Sequence, residues 1–166
     1  PPPPNALTVG GGVPYHAFMQ FNTSKIPAKA TINIATLVMN LDPSGNYLYN
    51  SGDSLLLQAL RVQSLDWQSG TPVPERIDVL YVDPVSRYRK RLTDNLSDSS
   101  LTFNITRQFQ DWTTTPSQNF GIRISHGDEV NGNFRKLYRV RFVNSPLDRK
   151  NSPKIIVYYT TIPSEN

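Results

Sequence analysis

Hydrophobic positions along this chain recur mostly at every second residue, the period of a strand with one covered face. Residues 15–21 read YHAFMQF, with Tyr15, Ala17, Met19 and Phe21 on one face and His16, Phe18 and Gln20 on the other. An aromatic on each face predicts a strand covered on two sides. Residues 31–41, TINIATLVMNL, predict a longer strand. Ile32 and Ile34 share one phase, whereas Leu37, Met39 and Leu41 share the opposite one, which places a bulge near Ala35 and Thr36. Residues 55–63, LLLQALRVQ, fit a strand or a helical turn by period alone, and their strand-like neighbours make the segment a strand. Further strands are predicted over 77–82, 135–143 and 154–161. In the last of these, IIVYY is continuously apolar or aromatic.

The stretch 101–125, LTFNITRQFQDWTTTPSQNFGIRIS, changes period twice. Leu101, Phe103 and Ile105 alternate with polar residues as a half-buried strand. Ile105, Phe109 and Trp112 then fall at i, i+4 and i+7, one side of a short helix. Pro116 ends that helix, and Ile122 and Ile124 resume the strand period. Trp112 is therefore assigned to the core, as part of a plug over the end of a sheet. Polar, proline-bearing loops join the strands over 42–53, 66–75 and 144–153. Eight to nine short strands with one helical turn predict an all-β fold, an antiparallel jelly-roll β-sandwich.

Length and composition narrow this picture. A chain of 166 residues suits one domain with a sizeable core. Residues 1–12, with four leading prolines and Gly10 to Gly12, read as a Pro/Gly-rich linker or leader. The sandwich domain is expected over 13–162 and a short tail over 163–166. Pro1 opens the chain without Met or a signal pattern, so a module of a longer polypeptide is expected, with other domains of that polypeptide among its partners. No apolar run approaches the length of a membrane span. There is no cysteine, which removes disulfides, thiolate nucleophiles and sulfur-ligated zinc. Two histidines, His16 and His126, cannot build a multi-histidine metal site within one chain.

Three segments resemble a known family. Residues 18–41, FMQFNTSKIPAKATINIATLVMNL, look like the opening of DNRLRE-type domains, in which "RFDLSSIPAGATVTSATLRLYL" recurs. Residues 103–125 resemble their "FDVTxxVQxWxxxPxxNxGLxL" segment. Residues 139–160, RVRFVNSPLDRKNSPKIIVYYT, resemble their ending, closed by "PxLxVxYT". The same layout occurs in transforming growth factor beta propeptides and in bacterial surface lipoproteins of unknown function. The resemblance implies a jelly-roll β-sandwich within a larger secreted or surface protein, and some relatives are carbohydrate-binding modules. Asn104 stands where the family has an acidic residue, and Asn144 where an acidic residue or serine is common. The matching positions are framework positions, so the resemblance assigns no binding residue.

Candidate chemistry follows from the loops and the charge. Net charge is +4, concentrated in Arg87, Arg89, Lys90 and Arg91 and in Arg135, Lys136, Arg139 and Arg141. These segments could bind a polyanion or a partner, or could serve only as a charged edge strand or loop that discourages aggregation; nucleic acid is not the expected partner. Tyr47, Tyr49 and Trp67 lie in predicted loops, where exposed rings can form platforms for sugars. Asp128 and Glu129 supply oxygen donors suited to calcium, although the spacing is not that of an EF-hand and an ordinary polar hairpin accounts for it. No other cofactor is expected. Asp53, Asp66, Glu75, Asp78 and Asp111 are the available carboxylates for glycoside hydrolysis, but none sits in a motif and catalysis is not expected. The expectation is a non-catalytic extracellular or cell-surface module that binds polysaccharide or another surface polymer. The alternative is a structural or protein-interaction module of a larger assembly.

Overall fold

The computed structural model describes residues 6–11, 15–42, 47–48, 54–62, 87–91, 100–126, 138–145, 147 and 149–161. Within them the fold is all-β, built of antiparallel sheets, with one α-helix. Sheet A has the order β1-β9-β4, with β1 at Ala6–Gly11, β9 at Tyr138–Val143 and β4 at Tyr47–Leu48. Sheet B has the order β2-β8-β5-β6, with β2 at Ala17–Met19, β8 at Ile122–His126, β5 at Ser54–Arg61 and β6 at Arg87–Arg91. Sheet C has the order β10-β3-β7, with β10 at Lys154–Thr160, β3 at Thr31–Asn40 and β7 at Ser100–Asn104. Two isolated bridges join the sheets. Gly10 of β1 pairs with Tyr15, two residues before β2, and Leu41, just after β3, pairs with Phe142 of β9. Beside the second bridge, the Asp42 N–H donates to the Arg141 carbonyl at 2.9 Å, and the two side chains form an ion pair at 2.9 Å. No helix among the described residues is long and apolar enough to cross a membrane.

One hydrophobic cluster draws on all three sheets. Ala17, Met19, Ala59, Ile122 and Ile124 come from sheet B, Val9, Val140 and Phe142 from A, and Leu37, Met39, Leu101 and Phe103 from C. Alternation explains this in β7, where Leu101 and Phe103 are buried while Ser100, Thr102 and Asn104 are exposed. In β3 the alternation breaks once. Tyr158 pairs with Ile34 and Tyr159 with Ile32, leaving Asn33 as the extra residue of a bulge. The expected phase change is therefore present, but earlier than Ala35–Thr36, and it leaves Ile34 exposed rather than in phase with buried Ile32.

The N-terminal leader expected over 1–12 is a correction. Ala6–Gly11 forms a strand paired with β9 from Ala6↔Val143 to Gly11↔Tyr138. Val9 is fully buried opposite Val140. The reading over-weighted the flanking prolines and glycines, although Leu7 and Val9 carry the strand alternation between them. The basic run at 87–91 also becomes a strand, β6, at one end of sheet B among the described strands. The expected strand at 77–82 and the tail at 163–166 lie outside the described residues.

The helix α1 (Thr106–Thr114) fills the place where β7 stops. It buries Gln108, Phe109, Trp112 and Thr113, which together with buried Ile105 follow the i, i+3, i+4, i+7, i+8 pattern of one helix face. Phe109 and Trp112 meet edge to face, with ring centroids 6.2 Å apart, a favoured aromatic geometry. Trp112 is fully buried, as the spacing predicted. The Asn104 carboxamide oxygen starts the helix by accepting the Thr106 N–H at 3.0 Å and the Thr106 hydroxyl at 2.8 Å. Beyond β7, the helix side chains take over pairing with β3. The Ile32 N–H donates to Gln110 Oε1 at 2.7 Å, and Gln110 Nε2 donates to the Ala30 carbonyl at 3.2 Å. The Ala35 N–H donates to the Thr106 hydroxyl oxygen at 3.0 Å, and the Ile105 N–H to the Ala35 carbonyl at 2.9 Å.

Removing the indole in Trp112→Ala is expected to destabilise the fold by about 3–5 kcal/mol, measured by chemical denaturation. Unchanged unfolding would contradict the role of Trp112 as a core plug. Gln110→Leu keeps the side-chain bulk but strands two main-chain groups, and is expected to cost about 1–3 kcal/mol in the same assay.

Candidate functional site

The described residues form a groove of about 740 Å³ where β2 runs out and the helix region ends. One wall is the connection leaving β2, from Gln20 through Ala28; the other is Thr113, Pro116 and Asn119. Local chemistry shapes both walls. Asn22 Oδ1 accepts the Ser24 N–H at 2.8 Å, an Asx-type turn, and the Ile26 N–H closes onto the Thr23 carbonyl at 3.0 Å. Pro27 bars a continuing strand. Opposite, Pro116 opens a 3-10 turn over Pro116–Gln118, which steers the chain out of α1 toward β8.

Asn119 ties the two walls together. Its Nδ2 donates to the Phe21 carbonyl at 2.7 Å, while its own carbonyl accepts Gln20 Nε2 at 2.6 Å. Two residues on, Gly121 adopts φ +101°, and a Cβ there would sit 2.4 Å from the Met19 carbonyl oxygen. Only glycine suits both the conformation and the approach. Behind the turn, Arg61 donates to Asp111 Oδ2 and to Gln118 Oε1, each at 2.9 Å. Asp111, one of the candidate carboxylates, keeps a side chain that is 43% exposed and forms the ion pair with Arg61.

The groove lining is uncharged. Gln20, Asn22, Thr23, Ser24, Thr113 and Asn119 supply amides and hydroxyls, and Phe21, Ile26, Pro27 and Pro116 supply apolar surface. No Asp, Glu, His, Lys or Arg is among the described lining residues. The Oδ1 of Asn119 is buried and has no hydrogen-bond partner among the described residues. Such a surface can hydrogen-bond a neutral polar ligand and pack against its apolar faces. Its described side chains include no group suited to shuttling a proton near neutral pH.

The sequence-predicted residues fall elsewhere. Tyr47 lies in β4, opposite Arg139 of β9. Tyr49, Trp67, Arg135, Asp128 and Glu129 lie outside the described residues. Arg87, Arg89, Lys90 and Arg91 form β6 in sheet B, opposite Gln58, Leu56, Leu55 and Ser54 of β5. Arg139 is exposed on β9 in sheet A. The described parts of the two basic segments thus belong to different sheets. Among the described residues, no group of three or more His, Asp or Glu is placed to hold a metal ion. Sequence reasoning missed the groove, although the run Phe21-Asn22-Thr23-Ser24 and the Pro116-to-Asn119 turn were visible as polar connections. Their meeting depends on Gly121 and Asn119, whose partners are almost a hundred residues away.

Compared with known proteins, the chain matches no family model and has no significant match among curated sequences.

Gly121→Ala is expected to destabilise the protein by at least about 1–3 kcal/mol, from positive-φ strain with the Met19 contact added. Thermal unfolding measures this, and an unchanged midpoint would contradict the close approach of β8 to β2.

Proposed function

We propose that this chain is a non-catalytic jelly-roll β-sandwich module of an extracellular or cell-surface protein, and that it binds polysaccharide or a similar neutral surface polymer. The observation that carries the reading is the uncharged lining of the groove between residues 20–28 and 113–119. Its volume lies within the range of ligand sites, about 300–1,000 Å³, in which a few polar groups orient a ligand on apolar walls. A sugar offers matching surfaces: hydroxyls for the Gln20, Asn22 and Asn119 amides, and C–H faces for Phe21, Ile26 and the prolines. Support for the fold comes from the three segments that resemble DNRLRE-type domains, because antiparallel sheets around a single hydrophobic cluster suit that architecture.

A protein-interaction role is favoured by a separate observation, the exposed Ile34, Ile156 and Tyr158 on sheet C. A polyanion role draws less support, since the basic segments lie on separate sheets and Arg141 is paired with Asp42.

A panel of neutral polysaccharides tests the proposal by isothermal titration. Saturable binding is expected, and Asn22→Ala with Gln20→Ala should weaken it about tenfold or more, the equivalent of about 1.4 kcal/mol, while circular dichroism shows the sheets retained. Binding lost in Trp67→Ala but intact in the groove variant would move the site to the loops. No binding across the panel would overturn the reading.

A further inference from the structure

Two end strands, β6 of sheet B and β10 of sheet C, differ sharply in charge. Strand β6, at one end of sheet B, carries Arg87, Arg89, Lys90 and Arg91 among its five residues. Charge of this kind is how proteins keep a sheet edge from pairing with another chain. Strand β10, at one end of sheet C, is seven residues long and carries a single charge, Lys154. From Ile155 to Thr160 it has no charge, proline or glycine. The bulge of this strand pair falls on β3 at Asn33 and leaves β10 regular. Among the described residues, nothing pairs with the outer side of β10.

The face beside that edge is also apolar. Ile156 is 42% exposed, Tyr158 62% and Ile34, which pairs with Tyr158, 50%. Ile155 and Val157 point the other way and pack against the core. The sequence concealed this. The run IIVYY is continuously apolar or aromatic, yet only Ile155 and Val157 are partly covered here.

We propose that β10 pairs edge to edge with β10 of a second copy of this chain, antiparallel, about a two-fold axis through Val157. The strand is complementary to itself in that register. Each Tyr158 stands opposite the partner's Ile156 on the outer face, an aromatic–β-branched pair of the kind that stabilises sheets. Tyr159 stands opposite the partner's Ile155 on the inner face. Lys154 stands opposite the partner's Thr160, so no like charges meet. Outward residues face outward residues only when the two paired residue numbers add to an even sum, and the Val157 axis is the one that uses all seven residues. The contact is isologous and closes at two copies, joining two sheets C into one of six strands. Main-chain hydrogen bonds along the edge supply affinity, and the Tyr158–Ile156 pairs fix the register.

The test uses the whole chain in sedimentation equilibrium over a range of concentrations. Reversible dimerisation is expected. Ile156→Lys and Tyr158→Lys should each weaken it about tenfold, whereas the double variant Ile156→Lys with Tyr158→Glu places opposite charges across the axis and should recover most of the loss. Because the chain has no cysteine, mixing Ile156→Cys protein with Tyr158→Cys protein gives a clean second readout. Antiparallel partners have Cα atoms about 4.5–5.5 Å apart, within disulfide reach, so the mixture should cross-link faster than either variant alone. Circular dichroism confirms that the exposed substitutions leave the fold intact. A monomer at all concentrations would overturn the proposal. So would a dimer indifferent to these substitutions, or a Tyr158→Ala monomer that has lost polysaccharide binding, which would make this face a sugar platform.

Discussion

The carboxamide of Gln110 does for the start of β3 what a neighbouring strand does for the rest of it. Its oxygen accepts the Ile32 N–H and its amide N–H donates to the Ala30 carbonyl, so a side chain imitates a peptide unit in a sheet. Thr106 and Ile105 satisfy Ala35 in the same way. Without these bonds the main chain between Ala30 and Ala35 would lose its partners on the side where β7 ends, a costly state for backbone groups that are not all in water. With them, β7 can stop at Asn104 and α1 can turn Phe109 and Trp112 into the core. The position of the groove follows, because its second wall is the last turn of that helix and the 3-10 turn after it.

Much of this architecture was legible in the chain. The alternation in 101–105, the change of period at Ile105 and the stop at Pro116 place β7, α1 and the turn where they are, and Trp112 is buried for the reason its spacing gives. What period alone could not locate is set by partners far away in sequence. The bulge falls at Asn33 because β10 shifts register there, which a reading of β3 by itself places two residues late. Strand β1 was obscured by the prolines and glycines around it, since its stability comes from β9 and not from local propensity. The groove was illegible for the same reason: Asn119 and Phe21 are separated in sequence but bonded in space. No periodic signal marks such a meeting. Of the aromatic residues expected to carry binding, only Tyr47 falls within the described structure, on the short strand β4.

Charge is distributed with a consistent logic across the described surface. The groove lining is neutral, the end strand β6 is strongly basic, and the end strand β10 is nearly uncharged. A basic edge repels copies of itself and tolerates water. An uncharged edge with Tyr and Ile beside it does neither.

The pairing of β1 with β9 and of β3 with β10 has a consequence for how the chain comes into being. Sheet A needs residues 6–11 and 138–143 together, and sheet C needs 31–40 together with 154–160. A chain emerging from the ribosome can assemble the described strands of sheet B once His126 is free, but sheet A must wait for residues up to 143 and sheet C for residues up to 160. Contacts between such distant segments are slow to form. During that interval β1, with Val9, and β3 must wait for the strands that will pair with them.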